Sequence, residues 1–252
     1  DEALEAVTDG SSNVGIGKDA GTALTSGSNN VAVGFEALKT EDGHGSNTAI
    51  GYQSLKTLNA GQNSGNTAVG ERSGTALTVG VNNVAIGDRA LMTADADAYN
   101  TAVGSGALST QNAGGSTYNT AFGYNAGTNI TTGTLNTLIG GLNGDAITTG
   151  GSNVGLGYFA LTADTQGSKS VAVGTAALGD QNFTSATDAF NVAVGQEAGR
   201  FVTTGSQNTF VGGLAADAIT TGSRNTAFGY TALSAATTSI DNTCFGWAAG
   251  LN

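Results

Sequence analysis

A five-residue pattern, plainest in Asn30-Val31-Ala32-Val33-Gly34, returns fourteen times along this chain of 252 residues and constrains its fold more than any other feature. Ten of the thirteen intervals between closing glycines are 17 residues, two are 19 and one is 21. A fixed period this short is the mark of a solenoid, in which each repeat stacks only on its neighbours. The repeat overrides what length alone implies about domain number, and it predicts one repetitive parallel β-solenoid of about 14 coils. At about 4.8 Å per coil such a stack would run on the order of 65 Å.

The five positions differ in kind. The first is Asn in thirteen copies: Asn13, Asn30, Asn47, Asn66, Asn83, Asn100, Asn119, Asn136, Asn153, Asn191, Asn208, Asn225 and Asn242; the other copy has Ser170. The second is always Val or Thr, and the third is small in most copies, as in Ala32, Ala49 and Ala102. The fourth is always large and apolar: Ile16, Val33, Ile50, Val69, Ile86, Val103, Phe122, Ile139, Leu156, Val173, Val194, Val211, Phe228 and Phe245. Such residues favour a strand, and strand side chains alternate between faces, so positions two and four share one face and position three takes the other. We expect the position-four ladder to fill the interior of the coil, with the alanine row outside, suited to close packing against another subunit. Asn at one strand end tolerates turn geometry and can bond to backbone or to the Asn one coil away, while Gly at the other allows positive φ or close backbone approach.

After each Gly comes a second pattern, most often x-x-Ala-Leu or x-x-Ala-Gly, as in Phe35-Glu36-Ala37-Leu38 and Gln196-Glu197-Ala198-Gly199. Its Leu row offers a second apolar anchor, and each coil is expected to run strand, turn, short second strand or extended segment, turn. The extra residues fall in the return segment: two between Gly51 and Asn66, two between Gly104 and Asn119, and four between Gly174 and Asn191. The longest return, from Gln181 to Phe190, carries Phe183 and Phe190 and is the best local candidate for a contact surface. Residues 1–12 stand outside the repeat, as a linker or the end of an upstream element, and Glu2 to Val7 would suit a short helix ending near Gly10. Residues 13–252 form the repeat domain, which stops part-way through a coil and is expected to belong to a longer chain.

The Asn-Val-Ala-Val-Gly-x-x-Ala pattern resembles the head repeats of trimeric autotransporter adhesins of the YadA type. It is more similar still to the Asn-Thr-Ala-Val-Gly-x-x-Ala-Leu repeats of phage tail fibres. The likeness covers residues 13–250, with a coil longer than that of the adhesin heads. It implies a β-roll trimerised along its length. It implies either the shaft or receptor-contact region of a tail fibre, at the virion surface, or the head of a bacterial surface adhesin. No active-site residue is carried over, because the matching motif is structural.

Catalytic chemistry finds little footing. His44 is the only histidine and stands in a Glu41-Asp42-Gly43-His44-Gly45 turn with no nucleophile motif beside it. Cys and His have no metal-ligand spacing, and Asp95 and Asp97 share a turn without the EF-hand pattern. We therefore expect no catalytic residue, no metal and no cofactor. A net charge of −11, with eight dispersed basic residues, leaves nucleic acid without its electrostatic footprint. No apolar run reaches the roughly 18 to 20 residues of a membrane span. Acidity suits an extracellular or virion-surface fibre. Cys244, without an intrachain partner, reads as a small residue of the alanine row. The partners expected are copies of the chain, most simply a homotrimer, and a host-cell glycan or protein. The position after the closing Gly is Phe35, Tyr52, Tyr124, Tyr158, Tyr230 or Trp247 in six coils. Such aromatics could stack on sugar rings or cover an intersubunit seam. Binding of ice or another ligand by a monomeric β-helix is a third function class, and it requires a flat, regular Thr array.

Overall fold

The computed structural model describes residues 2–250 and shows an all-β parallel solenoid of about 14 turns, with no helix among the described residues. It divides into two compact units, Asp1–Phe122 and Gly123–Asn252. The first unit contains β1 (Val14–Ile16), β2 (Val31–Val33), β3 (Thr48–Ile50), β4 (Thr67–Val69), β5 (Val84–Ile86), β6 (Thr101–Val103) and β7 (Thr120–Phe122). The second contains β8 (Thr137–Ile139), β9 (Val154–Leu156), β11 (Val171–Val173), β13 (Val192–Val194), β14 (Thr209–Val211), β15 (Thr226–Phe228) and β16 (Thr243–Phe245). A two-residue pair, β10 (Gly167–Ser168) and β12 (Thr187–Asp188), lies in the return segments.

Every three-residue strand covers positions two to four of the pentapeptide, and within each unit neighbours pair in parallel and in register. Val31 lies against Thr48, Ala32 against Ala49 and Val33 against Ile50. The two- and four-residue insertions leave this register untouched: Val171 still faces Val192, across the 21-residue coil.

The facing of the strands is the reverse of the expected one. Ala32, Ala49, Ala68, Ala102 and Ala121 are fully buried, whereas Ile16 is 59% exposed and Phe122 56%. Ile50, Ile86, Ile139, Val194, Phe228 and Phe245 are likewise exposed, and no position-four side chain is buried. The ladder therefore lines the outside. The interior is narrow, because the segment after each Gly folds back close under the sheet, and it is filled from that segment by the fully buried Leu38, Leu55, Leu91, Leu108, Leu161 and Leu178. Only a methyl-sized group fits on the sheet side of such a core. The exceptions at position three are balanced by their neighbours: buried Phe210 lies where Gly199 leaves room, and Leu138 where Gly144 does.

A rule of volume follows. Where the fourth residue after the closing Gly is Leu, the seventh is usually small or polar, as in Leu91 with Ala94 and Leu178 with Gln181. Where the fourth is Gly, the seventh is a buried branched chain, as in Gly74 with Leu77 and Gly144 with Ile147. A Cβ on Gly74 would stand 3.1 Å from the Leu77 side chain, and one on Gly144 2.9 Å from that of Ile147. Each such coil has room for one long apolar chain at this level. Leu55 with Leu58 departs from the rule, both being buried.

The post-glycine segment is not a second strand, as expected, but a run of turns. Three residues in each 17-residue coil take left-handed backbone, for example Asn29 (φ 61°), Glu36 (φ 53°) and Leu38 (φ 50°). This conformation is uncommon for residues with a Cβ, but their N–H groups reach adjacent coils in both directions. Glu36 N donates to Lys18 O (3.0 Å) in the coil behind, and Leu38 N to Ser54 O (2.9 Å) in the coil ahead. The closing glycines combine φ near +130° with direct stacking: a Cβ on Gly70 (φ +134°) would lie 2.5 Å from Gly87 O. The predicted helix in residues 2–7 is replaced by the same turn geometry. Leu4 (φ 55°) donates its N–H to Ala20 O (3.0 Å), and its side chain occupies the space left by Gly15.

Candidate functional site

The Asn row is built into the interior and stitches coil to coil, with an interruption in the second unit where Ser170 replaces Asn. Asn30 N donates to Asn13 Oδ1 (2.9 Å), while Asn13 Nδ2 donates to Gly27 O (2.7 Å). Asn47, Asn66, Asn83 and Asn100 each donate a backbone N–H to the preceding Asn, at 2.9–3.1 Å, and so do Asn153, Asn208, Asn225 and Asn242 in the second unit. Asn119 accomplishes the same across a 19-residue coil by donating to Asn100 Oδ1 (2.9 Å). Asn136 accepts from Asn153 and donates to Gly150 O (3.0 Å), and Asn191 donates to Gly205 O (2.7 Å). Buried amides with both functions used hold the turns to the strands.

Two of the three long returns are closed by buried glutamines that sequence reasoning passed over. Gln181 Nε2 donates to Asp164 Oδ2 (2.5 Å) and its Oε1 accepts from Asn191 Nδ2 (2.9 Å). Gln111 repeats the arrangement, donating to Asp97 Oδ1 (3.4 Å) and Thr117 Oγ1 (2.6 Å) and accepting from Asn119 Nδ2 (3.0 Å). Asp164 Oδ1 also accepts from Gly167 N (3.0 Å) and Phe183 N (3.1 Å). Burial pushes its carboxyl above the usual range, against the opposing pull of Gln181 and those N–H groups. The signal for these residues was present in the sequence, as polar residues at the seventh place after the closing Gly.

The outward sheet face is the principal candidate for function. Positions two and four carry no charged residue in any coil, and both point outward in each unit. Phe228 and Phe245 stack across successive coils, with ring centroids 4.9 Å apart and planes at 6°. Tyr52 stacks on Phe35 at 5.5 Å beside the first unit's ladder, with Arg72 over its ring. Tyr124, Tyr158 and Tyr230 are exposed in the second unit, with Tyr158 edge-on to Phe159 at 4.1 Å. The residue before each Asn forms another outer row, of which sequence reasoning singled out only Phe190. There Tyr99 and Tyr118 stack at 5.0 Å, and Phe190 lies under Lys169 Nζ at 5.1 Å. Phe183 is corrected: it points inward, buried, and leaves the expected contact surface to Phe190.

Charges sit mainly in the turns. Glu36 accepts from Lys56 (2.6 Å), Lys39 (2.7 Å) and Gln53 (2.8 Å), and these partners, Lys39 foremost, hold its carboxyl down at about 2. Cys244 has no disulfide partner and takes a half-buried place in the alanine row. No protein-family model matches the chain, and neither a curated protein nor a solved structure matches it significantly.

Proposed function

We propose that this chain is a non-enzymatic repeat segment of an attachment fibre, of tail-fibre type, in which parallel copies pack on one another through the outward face of positions two and four. The observation that carries the reading is that face itself: an uncharged ladder of Val, Thr, Ile and Phe, left exposed at a constant spacing. Exposed contiguous apolar surface of this kind marks an interaction site. Another copy of the chain offers the same spacing and the same residue classes, so its coils match one for one. The net charge of −11 repels copies everywhere except where charge is lacking, which favours this face over any other. The aromatic rows at its margins are then the seam or the contact with a host glycan. Virion-surface or extracellular placement belongs to the same proposal, and a bacterial adhesin head is its nearest relation.

The test is solution mass by light scattering. Three times the 24.6 kDa of the chain is expected, and a folded monomer at micromolar concentration overturns the proposal. One observation favours a second reading. Thr48, Thr67, Thr101 and Thr120 are not core residues but stand on the outward face, as do Thr209, Thr226 and Thr243 in the second unit. A monomer that also shows thermal hysteresis would make that face an ice-binding one. The uneven Leu and Phe side chains of position four argue for the fibre first.

A further inference from the structure

Glu41 takes the seventh position after its closing Gly, the interior row where Gln111, Asp164 and Gln181 also follow a buried Leu, and like them it is fully buried. Its Oε1 accepts from His44 N (3.2 Å) and lies 3.1 Å from His44 Nδ1, but its Oε2 makes no hydrogen bond of good geometry, although the Ala60 N–H also acts on the carboxyl. An unsatisfied buried carboxylate oxygen needs a physical reason. Beside it, Asp42 Oδ1 stands 3.8 Å from His44 Nδ1, and one donor atom from each of the three residues lies within 4.8 Å of the others.

We propose that Glu41, Asp42 and His44 form a binding site for one Zn²⁺ ion. A tetrahedral zinc with bonds of about 2.0–2.1 Å separates its ligands by about 3.3–3.4 Å, and the 3.1 and 3.8 Å separations straddle that edge. One imidazole with two carboxylates suits zinc better than the all-oxygen shells of calcium or magnesium. Three protein ligands leave the fourth position to water. The turn that presents them is held from both sides. Thr25 N donates to Asp42 O (2.6 Å), Asn30 Nδ2 donates to His44 O (2.9 Å), and Gly45 N donates to Asn63 Oδ1 (2.9 Å). The donor atoms therefore need little ordering when an ion arrives. Bound zinc would neutralise the interior carboxylate and clip the turn to its coil. This inference is independent of the fibre proposal.

The experiment is calorimetric titration of the chelator-treated chain with ZnCl₂, alongside Co²⁺ substitution read by visible absorption. One ion per chain and the intense absorption of tetrahedral cobalt are expected. His44→Gln and Asp42→Asn change only partly or largely exposed side chains, so they keep the fold, as circular dichroism would check, and should each weaken binding by at least about tenfold. Glu41→Gln should do the same. No saturable uptake, equal uptake by His44→Gln, or calcium bound in preference to zinc would each overturn the assignment.

Discussion

At the scale of single residues, the Asn row carries more of the fold than its polarity suggests. Asn83 donates to Asp97 O (2.8 Å), and its Oδ1 accepts from Asn100 N (3.0 Å). Asn83→Ala would leave both partners buried and unpaired, at about 1–3 kcal/mol each. The expected outcome is faster hydrogen exchange of the Asn100 amide than in the parent, with a lower denaturation midpoint. Glu36 makes a pH prediction. Its folded-state carboxyl titrates at about 2, below the usual value of 4.5. The stabilisation is therefore complete above pH 4.5 and is lost as pH falls toward 2. Glu36→Gln should flatten the melting temperature across that window and leave the slope above it unchanged.

At the scale of the coil, the rule that the interior holds one long apolar chain invites a double-mutant cycle. Leu91 is fully buried and is followed by the small Ala94. Leu91→Gly alone should cost about 2–5 kcal/mol as a cavity. Ala94→Leu alone should cost about 1–3 kcal/mol by overpacking. Together they recreate the Gly74 and Leu77 arrangement one coil earlier, and most of the loss should return. Additive effects in urea denaturation would show that the two positions do not share one space. The same scale explains why long returns are tolerated. The extra residues leave the strand register alone, and Gln111 and Gln181 supply acceptors for Asn119 and Asn191.

For the whole molecule, what matters is which face is left outside. Ile86, 38% exposed, is part of an outward ladder. Ile86→Asp in the interior would uncouple the stack; on the outside it should leave circular dichroism and the folded core intact while reducing self-association. Light scattering on this variant checks both parts. Loss of folded signal would argue that the side chain is needed within the coil, and an unchanged assembly would argue that copies meet elsewhere. The interior counterpart is Ala102, where a larger side chain meets a closed core and is expected to unfold the coil rather than dissociate copies.

Much of this was legible in the residues. The 17-residue period determined a parallel solenoid of about fourteen turns, because Val and Thr with Ile or Phe between Asn and Gly can form only a short strand closed at both ends. The Asn stitch and the positive-φ Gly follow from the chemistry of those two residue types. The sign of the facing did not follow. A three-residue strand has two faces by alternation, and both were apolar here, so the pattern could not say whether Ala102 or Val103 turns inward. That choice was made by the width of the interior, which depends on how closely the left-handed turns at residues such as Glu36 and Leu38 bring the opposite wall. Local composition does not encode this distance. The site at Glu41, Asp42 and His44 was hidden for the same reason. In sequence it is a polar turn; only the tertiary structure places Glu41 in the core and turns its carboxylate toward the imidazole.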